Sequence, residues 1–134
     1  MTDAEIETLV RSFEDGTLPR SEWTHASHLL VALWYLSRHP RDEATRMVRD
    51  GLRRYGILHG RLSFYHETIT LAWVAVVARF LAGCDRDRPI SVLAGMLIDG
   101  CGDKDYLLRY YSREVLMSDA ARLEWVQPDR GSIE

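Results

Sequence analysis

The sequence predicts an all-α fold: a single-domain up-down helical bundle of about four main helices with short terminal helices. Three observations favour this class. Two segments are apolar on nearly every face, other segments carry apolar residues at helical spacing, and no run alternates between apolar and polar residues as a half-buried strand does. A chain of 134 residues is long enough for one core, so residues 1–134 are expected to form one helical domain.

Capping and breaking residues divide the chain into these helices. Thr2 with Glu5 has the spacing of a capping box, and Thr24 can cap the second helix. Pro40 prevents that helix from continuing, and Ser118 or Asp119 can cap the last short one. The expected helices cover about 2–14, 24–37, 41–56, 66–82 and 89–100, with two short helices within 105–126.

The second and fourth helices are predicted to form the core. Every residue from Leu29 to Leu36 is apolar, and from Ile69 to Ala82 only Thr70 and Arg79 are polar. A helix of this kind needs neighbours on all sides. The third helix is instead amphipathic, with arginines between its apolar positions, and is expected on the outside of the bundle.

Four of the five histidines are expected at one end of the bundle. If the second, third and fourth helices are antiparallel in succession, the second and fourth begin at the same end, where the third finishes. This end then receives His25, His28, His59, His66 and Glu67. The expectation depends on the short connections between the helices.

A metal site is the leading functional hypothesis for this end. His25 and His28 are three residues apart on one helix face, and a helix N-terminus favours the neutral imidazole that a metal requires. His25, His28 and His66 would be ligands of a zinc-like divalent metal, which keeps one position for water. His66 and Glu67 are also the candidate catalytic residues, and Glu67 can act as a ligand, an orienting group or a general base. Hydrolase- or lyase-like chemistry on a small molecule would follow.

A non-enzymatic module is the alternative: a helical small-ligand binder or a homodimer. In this interpretation His25 and His28 hydrogen-bond backbone groups at a loop end, because buried polar groups normally have partners. His66 caps its own helix, and Glu67 is the acidic residue expected in any first turn. The two interpretations place the same side chains but give them different partners.

Known catalytic motifs are absent from the chain. His66-Glu67-Thr68-Ile69-Thr70 begins like the zinc-protease HExxH motif, but Thr70 stands where the second histidine must be. There is no P-loop, no GxSxG and no dinucleotide-binding glycine pattern. In layout alone the predicted arrangement loosely resembles DinB-type metal-binding bundles, and such a resemblance implies no activity.

Tyr110 and Arg113 form a second candidate site. The fifth helix is expected to return to the histidine end, so the segment after it could bring Tyr110 and Arg113 to a pocket, where the guanidinium would hold an anionic group. The alternative is a surface turn capped by Ser112.

Composition limits the partners. A net charge of −3 provides no basic field for nucleic acid as a main partner. The longest apolar run has eight residues, too few to cross a membrane, and the two cysteines form no metal or redox motif. We therefore expect a cytoplasmic protein whose partner is a small molecule or a second copy of itself.

Overall fold

The computed structural model describes residues 1–134 and contains helices but no strand. The seven α-helices are α1 (Asp3–Asp15), α2 (His25–Arg38), α3 (Arg41–Leu58), α4 (Glu67–Ala82), α5 (Ile90–Cys101), α6 (Arg113–Leu116) and α7 (Asp119–Leu123). Short 3-10 segments lie at Arg20–Glu22, Leu62–Phe64 and Tyr106–Arg109. The predicted all-α class is confirmed, and none of the helices has both the length and the apolar character needed to cross a bilayer.

The predicted N-caps are present. Thr2 Oγ1 accepts the Glu5 N–H while the Glu5 carboxylate accepts the Thr2 N–H, which completes the capping box of α1. The Thr24 hydroxyl caps α2, and the Ser118 hydroxyl caps α7. Gly16 ends α1 with a φ of 76°, a left-handed conformation that glycine adopts without strain. Local chemistry therefore sets most helix boundaries close to where they were expected.

The helices α2 and α4 are the sheltered centre of the fold, as predicted. α2 packs against α1, α3, α4 and α5, and α4 packs against α2, α3, α5 and α7. Leu29 and Leu33 of α2 and Val77 of α4 are completely buried. Because both helices are covered on several sides, each can be apolar around most of its circumference.

The C-terminal region contains the two expected short helices, α6 and α7. The 3-10 segment Tyr106–Arg109, which was not predicted, precedes them, and α7 packs on α4. The buried hydroxyl of Thr68 links the two regions: it donates to the Glu124 carbonyl at 2.8 Å and accepts the Val126 N–H at 3.1 Å. Long-range hydrogen bonds of this kind, which sequence spacing does not reveal, hold the chain end on the core.

Candidate functional site

A cavity of about 470 Å³ lies between α2, α3 and α4, and we call it the aromatic cavity. It is lined by the first half of α2, the second half of α3, the first half of α4 and residues of the adjoining loops. Its wall is mainly apolar, and the aromatic side chains on it are Trp23, Tyr55, Phe64, Tyr65 and Trp73. His28 and His66 also lie on this wall, so the fold brings these two predicted residues to one space.

Stacked rings build the α1 side of this wall. Trp23 stacks on the buried ring of Phe13, with centroids 4.6 Å apart and planes 15° apart. The Tyr55 hydroxyl donates to the Leu18 carbonyl at 2.7 Å, which fixes that ring and joins α3 to the loop after α1. Aromatic packing and a hydrogen-bonded hydroxyl therefore hold the rings of this part of the wall in contact with α1 and its loop.

His28 keeps one ring nitrogen free. Its Nδ1 lies 2.8 Å from the Thr24 carbonyl oxygen, which can only accept, so Nδ1 carries the proton and donates. The ring packs 4.0 Å from the Trp23 ring, and burial lowers the pKa of His28 to about 4. At neutral pH the ring is therefore uncharged and Nε2 has a lone pair with no protein donor.

His66 uses both ring nitrogens within the protein. Its Nδ1 accepts the Ile69 N–H at 3.0 Å and caps α4, while Nε2 donates to the Leu116 carbonyl at 2.8 Å. Burial lowers the pKa of His66, which agrees with a neutral ring. The capping interpretation of His66 is confirmed, and neither nitrogen is available to a metal or to a substrate proton in this arrangement.

His25 lies apart from the aromatic cavity wall. Its ring meets Trp73 edge-on at 4.8 Å, and its Nε2 is buried without a hydrogen-bond partner. Burial lowers the pKa of His25, and the charge of Asp103 opposes this effect. No group of three or more His, Cys, Asp or Glu side chains is placed to hold a metal ion. The predicted ligand set His25, His28 and His66 thus receives no support from the geometry.

Glu67 is a buried member of an ion pair. Arg49 of α3 binds both of its oxygens, with Nε at 3.1 Å from Oε1 and Nη2 at 2.6 Å from Oε2. The Tyr65 hydroxyl also donates to Oε1, and Glu67 is only 9% exposed. With both oxygens occupied, Glu67 ties α3 to α4, and the general-base role expected from the sequence gains no support.

Tyr110 and Arg113 lie away from the aromatic cavity. The Tyr110 carbonyl accepts the Arg130 N–H, and its ring packs 6.0 Å from Tyr106. Arg113 is exposed at the start of α6, where Ser112 is the N-cap. The alternative of a turn capped by Ser112 is the arrangement found, and neither residue lines the cavity between α2, α3 and α4.

Two arginines on the cavity wall were missed from the sequence. Arg20 and Arg61 both line the aromatic cavity, and neither forms an ion pair with a carboxylate. They lie in connecting segments 41 residues apart, and each resembles the many other exposed arginines of the chain. The one available hint was the position of Arg61 beside Leu62 and Phe64, apolar residues in a connecting loop.

A larger space of about 690 Å³ adjoins α4 and the C-terminal residues. Its charged groups include Arg41 and Glu134, which form an ion pair with each other. Since these charges are already matched, this space offers a ligand fewer unsatisfied groups than the aromatic cavity does.

No family model matches the chain, and no curated protein or solved structure is significantly similar to it.

Proposed function

We propose that the protein binds a small, largely apolar molecule in the aromatic cavity. The single observation that supports this most is the cavity itself: about 470 Å³ with a mainly apolar, aromatic wall and one imidazole nitrogen, Nε2 of His28, left without a protein partner. Small-molecule sites are typically about 300–1,000 Å³, mostly apolar, with a few convergent polar groups. The wall has the composition of such a site.

The helix segments that line the wall also favour the predicted up-down arrangement. The first halves of α2 and α4 and the second half of α3 meet there, as expected when α3 runs opposite to its two neighbours. Burial keeps His28 neutral, so its Nε2 would accept a hydrogen bond from a hydroxyl or N–H group of the ligand.

A catalytic role is the less supported alternative. Hydrolase- or lyase-like chemistry would require a base or a metal-bound water, and His66 and Glu67 already have protein partners. The remaining base on the wall is His28, and burial makes it a weak one by lowering its pKa to about 4. A zinc-like ion would find His28 Nε2 as the free imidazole nitrogen on this wall. Binding without chemical conversion requires neither a general base nor a bound metal ion.

Binding of 2-naphthamide, a neutral aromatic probe, tests the proposal. Trp23 and Trp73 lie on the wall, so saturable quenching of tryptophan fluorescence should report occupancy, and calorimetry should give the same affinity. Ala32→Leu would extend a side chain into the cavity from α2 and should weaken binding at least about tenfold. Leu52→Phe should do the same from α3.

Ala94→Leu is the matched control. Ala94 is also a buried helical alanine, but it lies on α5 and does not line the cavity, so its replacement should change affinity by less than about twofold. Circular dichroism and thermal unfolding would verify that each variant folds. Non-saturable quenching, or equal affinities for folded Ala32→Leu, Leu52→Phe and the parent protein, would contradict the proposal.

A further inference from the structure

We infer that the ligand of the aromatic cavity carries an anionic group, a carboxylate or a phosphate, that Arg20 and Arg61 hold at the rim. This inference rests on the proposed binding function and adds the chemical class of the ligand. Both arginines line the cavity, and both are exposed residues. No aspartate or glutamate lines the cavity.

The charge at this rim differs from that of the whole chain. The protein has 17 lysines and arginines against 20 aspartates and glutamates, yet the wall of this one cavity has two arginines and no acid. The four ion pairs in the structure involve other residues, so both guanidinium groups remain unmatched. Unmatched arginines beside an apolar space suit a ligand with an apolar body and an anionic end.

The two arginines lie near the same turn of α3. The Arg61 N–H donates to the Gly56 carbonyl at 2.6 Å, and the charge of Arg20 partly opposes the rise that burial causes in the pKa of Tyr55. Gly56 allows this approach, because a Cβ there would lie 3.1 Å from the Leu62 Cα. Two loops distant in sequence thus converge at one end of the cavity.

Phe64 orients the Arg61 side chain. The guanidinium carbon lies 5.0 Å from the centre of the Phe64 ring, within the range of a cation–π contact. This contact leaves the planar edge of the guanidinium free to donate two parallel hydrogen bonds to a carboxylate or phosphate. His28 is neutral and its free ring nitrogen can only accept, so this imidazole does not compete with the two arginines for the anionic group.

Three probes with the same ring system test the charge preference. We expect 2-naphthoate or 2-naphthyl phosphate to bind at least about tenfold more tightly than neutral 2-naphthamide at low ionic strength. Arg20→Gln and Arg61→Gln should each remove most of this preference, measured in each variant as the ratio of anion affinity to 2-naphthamide affinity. The anion that binds more tightly would identify whether the head group is a carboxylate or a phosphate.

Arg46→Gln is the control. Arg46 is exposed on α3 and does not line the cavity, and its replacement by glutamine changes the net charge by the same amount. It should preserve the preference for the anion. Equal binding of all three probes would overturn the inference and leave the proposed function intact, whereas absence of saturable binding by every probe would overturn both. Loss of the preference in Arg46→Gln to the same extent as in Arg61→Gln would show a general charge effect and also overturn the inference.

Discussion

The first turns of α2 and α4 carry similar residues but have opposite roles. Each helix begins with a capped turn, and a histidine from each lies on the aromatic cavity wall. His28 satisfies one nitrogen within its own helix, through the Thr24 carbonyl, and leaves Nε2 free. His66 accepts the Ile69 N–H at Nδ1, which caps α4, and its Nε2 donates to the carbonyl of Leu116, 50 residues further along the chain.

This difference shows that the availability of an imidazole depends on its tertiary partners. Burial lowers the pKa of both rings, so both imidazoles are neutral at neutral pH. The two histidines differ because a carbonyl of α6 accepts a hydrogen bond from His66 Nε2, whereas no comparable group lies at Nε2 of His28. We therefore assign a structural role to His66, whereas the ligand contact of His28 belongs to the proposed function.

The largest effect is expected from breaking the ion pair at the α4 end. Arg49→Leu would leave the Glu67 carboxylate, 11% exposed at its side chain, without its partner. Removing one member of a buried pair strands a charge, so the free energy of unfolding should fall by about 3 kcal/mol in urea denaturation. Arg46→Leu, at an exposed position of the same helix, should change it by less than about 0.5 kcal/mol. Similar values for the two variants would mean that Glu67 is well solvated.

A smaller loss is expected when His66 is replaced. His66→Ala removes the cap of α4 and strands the Leu116 carbonyl, which together should cost about 2 kcal/mol in the same measurement. His66→Asn should recover about half of the lost free energy of unfolding, because asparagine is a good N-cap but its side chain is too short to reach the Leu116 carbonyl. A stability unchanged by His66→Ala would contradict the structural role assigned to this residue.

The smallest effect is expected at the α2 end and appears in the pH dependence. The pKa of His28 falls from 6.5 unfolded to about 4 folded, so the unfolded chain binds more protons between these values. Stability present at pH 7 is therefore lost as the pH falls below 6.5 towards 4. His28→Phe should keep stability at pH 7 within about 0.5 kcal/mol, since the ring contact with Trp23 remains, and should reduce the loss between pH 7 and 5 by an amount on the order of 1 kcal/mol.

Urea denaturation of the parent protein and of His28→Phe, each at pH 7 and at pH 5, measures this loss of stability. Identical pH dependence in the two proteins would indicate that His28 is solvated rather than buried. A loss of several kcal/mol at pH 7 would instead give His28 a structural role like that of His66, and the contrast between the two helix ends would disappear.

Much of the fold was predictable because it depends on local chemistry. Thr2, Thr24 and Ser118 are N-caps since their hydroxyls reach backbone N–H groups three residues ahead, and such distances depend on the helix alone. The apolar runs in α2 and α4 likewise required burial on several sides. The C-terminal segments were harder to divide, because helices of four and five residues provide little periodicity.

That His28 and His66 lie near one another was predictable, but their hydrogen-bond partners were not. The residue pattern was enough to predict an all-α chain with two sheltered helices and histidines near their first turns. The pairing of His66 with Leu116, the pairing of Glu67 with Arg49, and the contact of His25 with Trp73 became known from the folded structure alone. The same holds for Arg20 and Arg61, which line one cavity. The physical reason is that helix formation and capping involve neighbours in the chain, whereas hydrogen-bond partners, burial and unmatched charge depend on groups that only folding brings together.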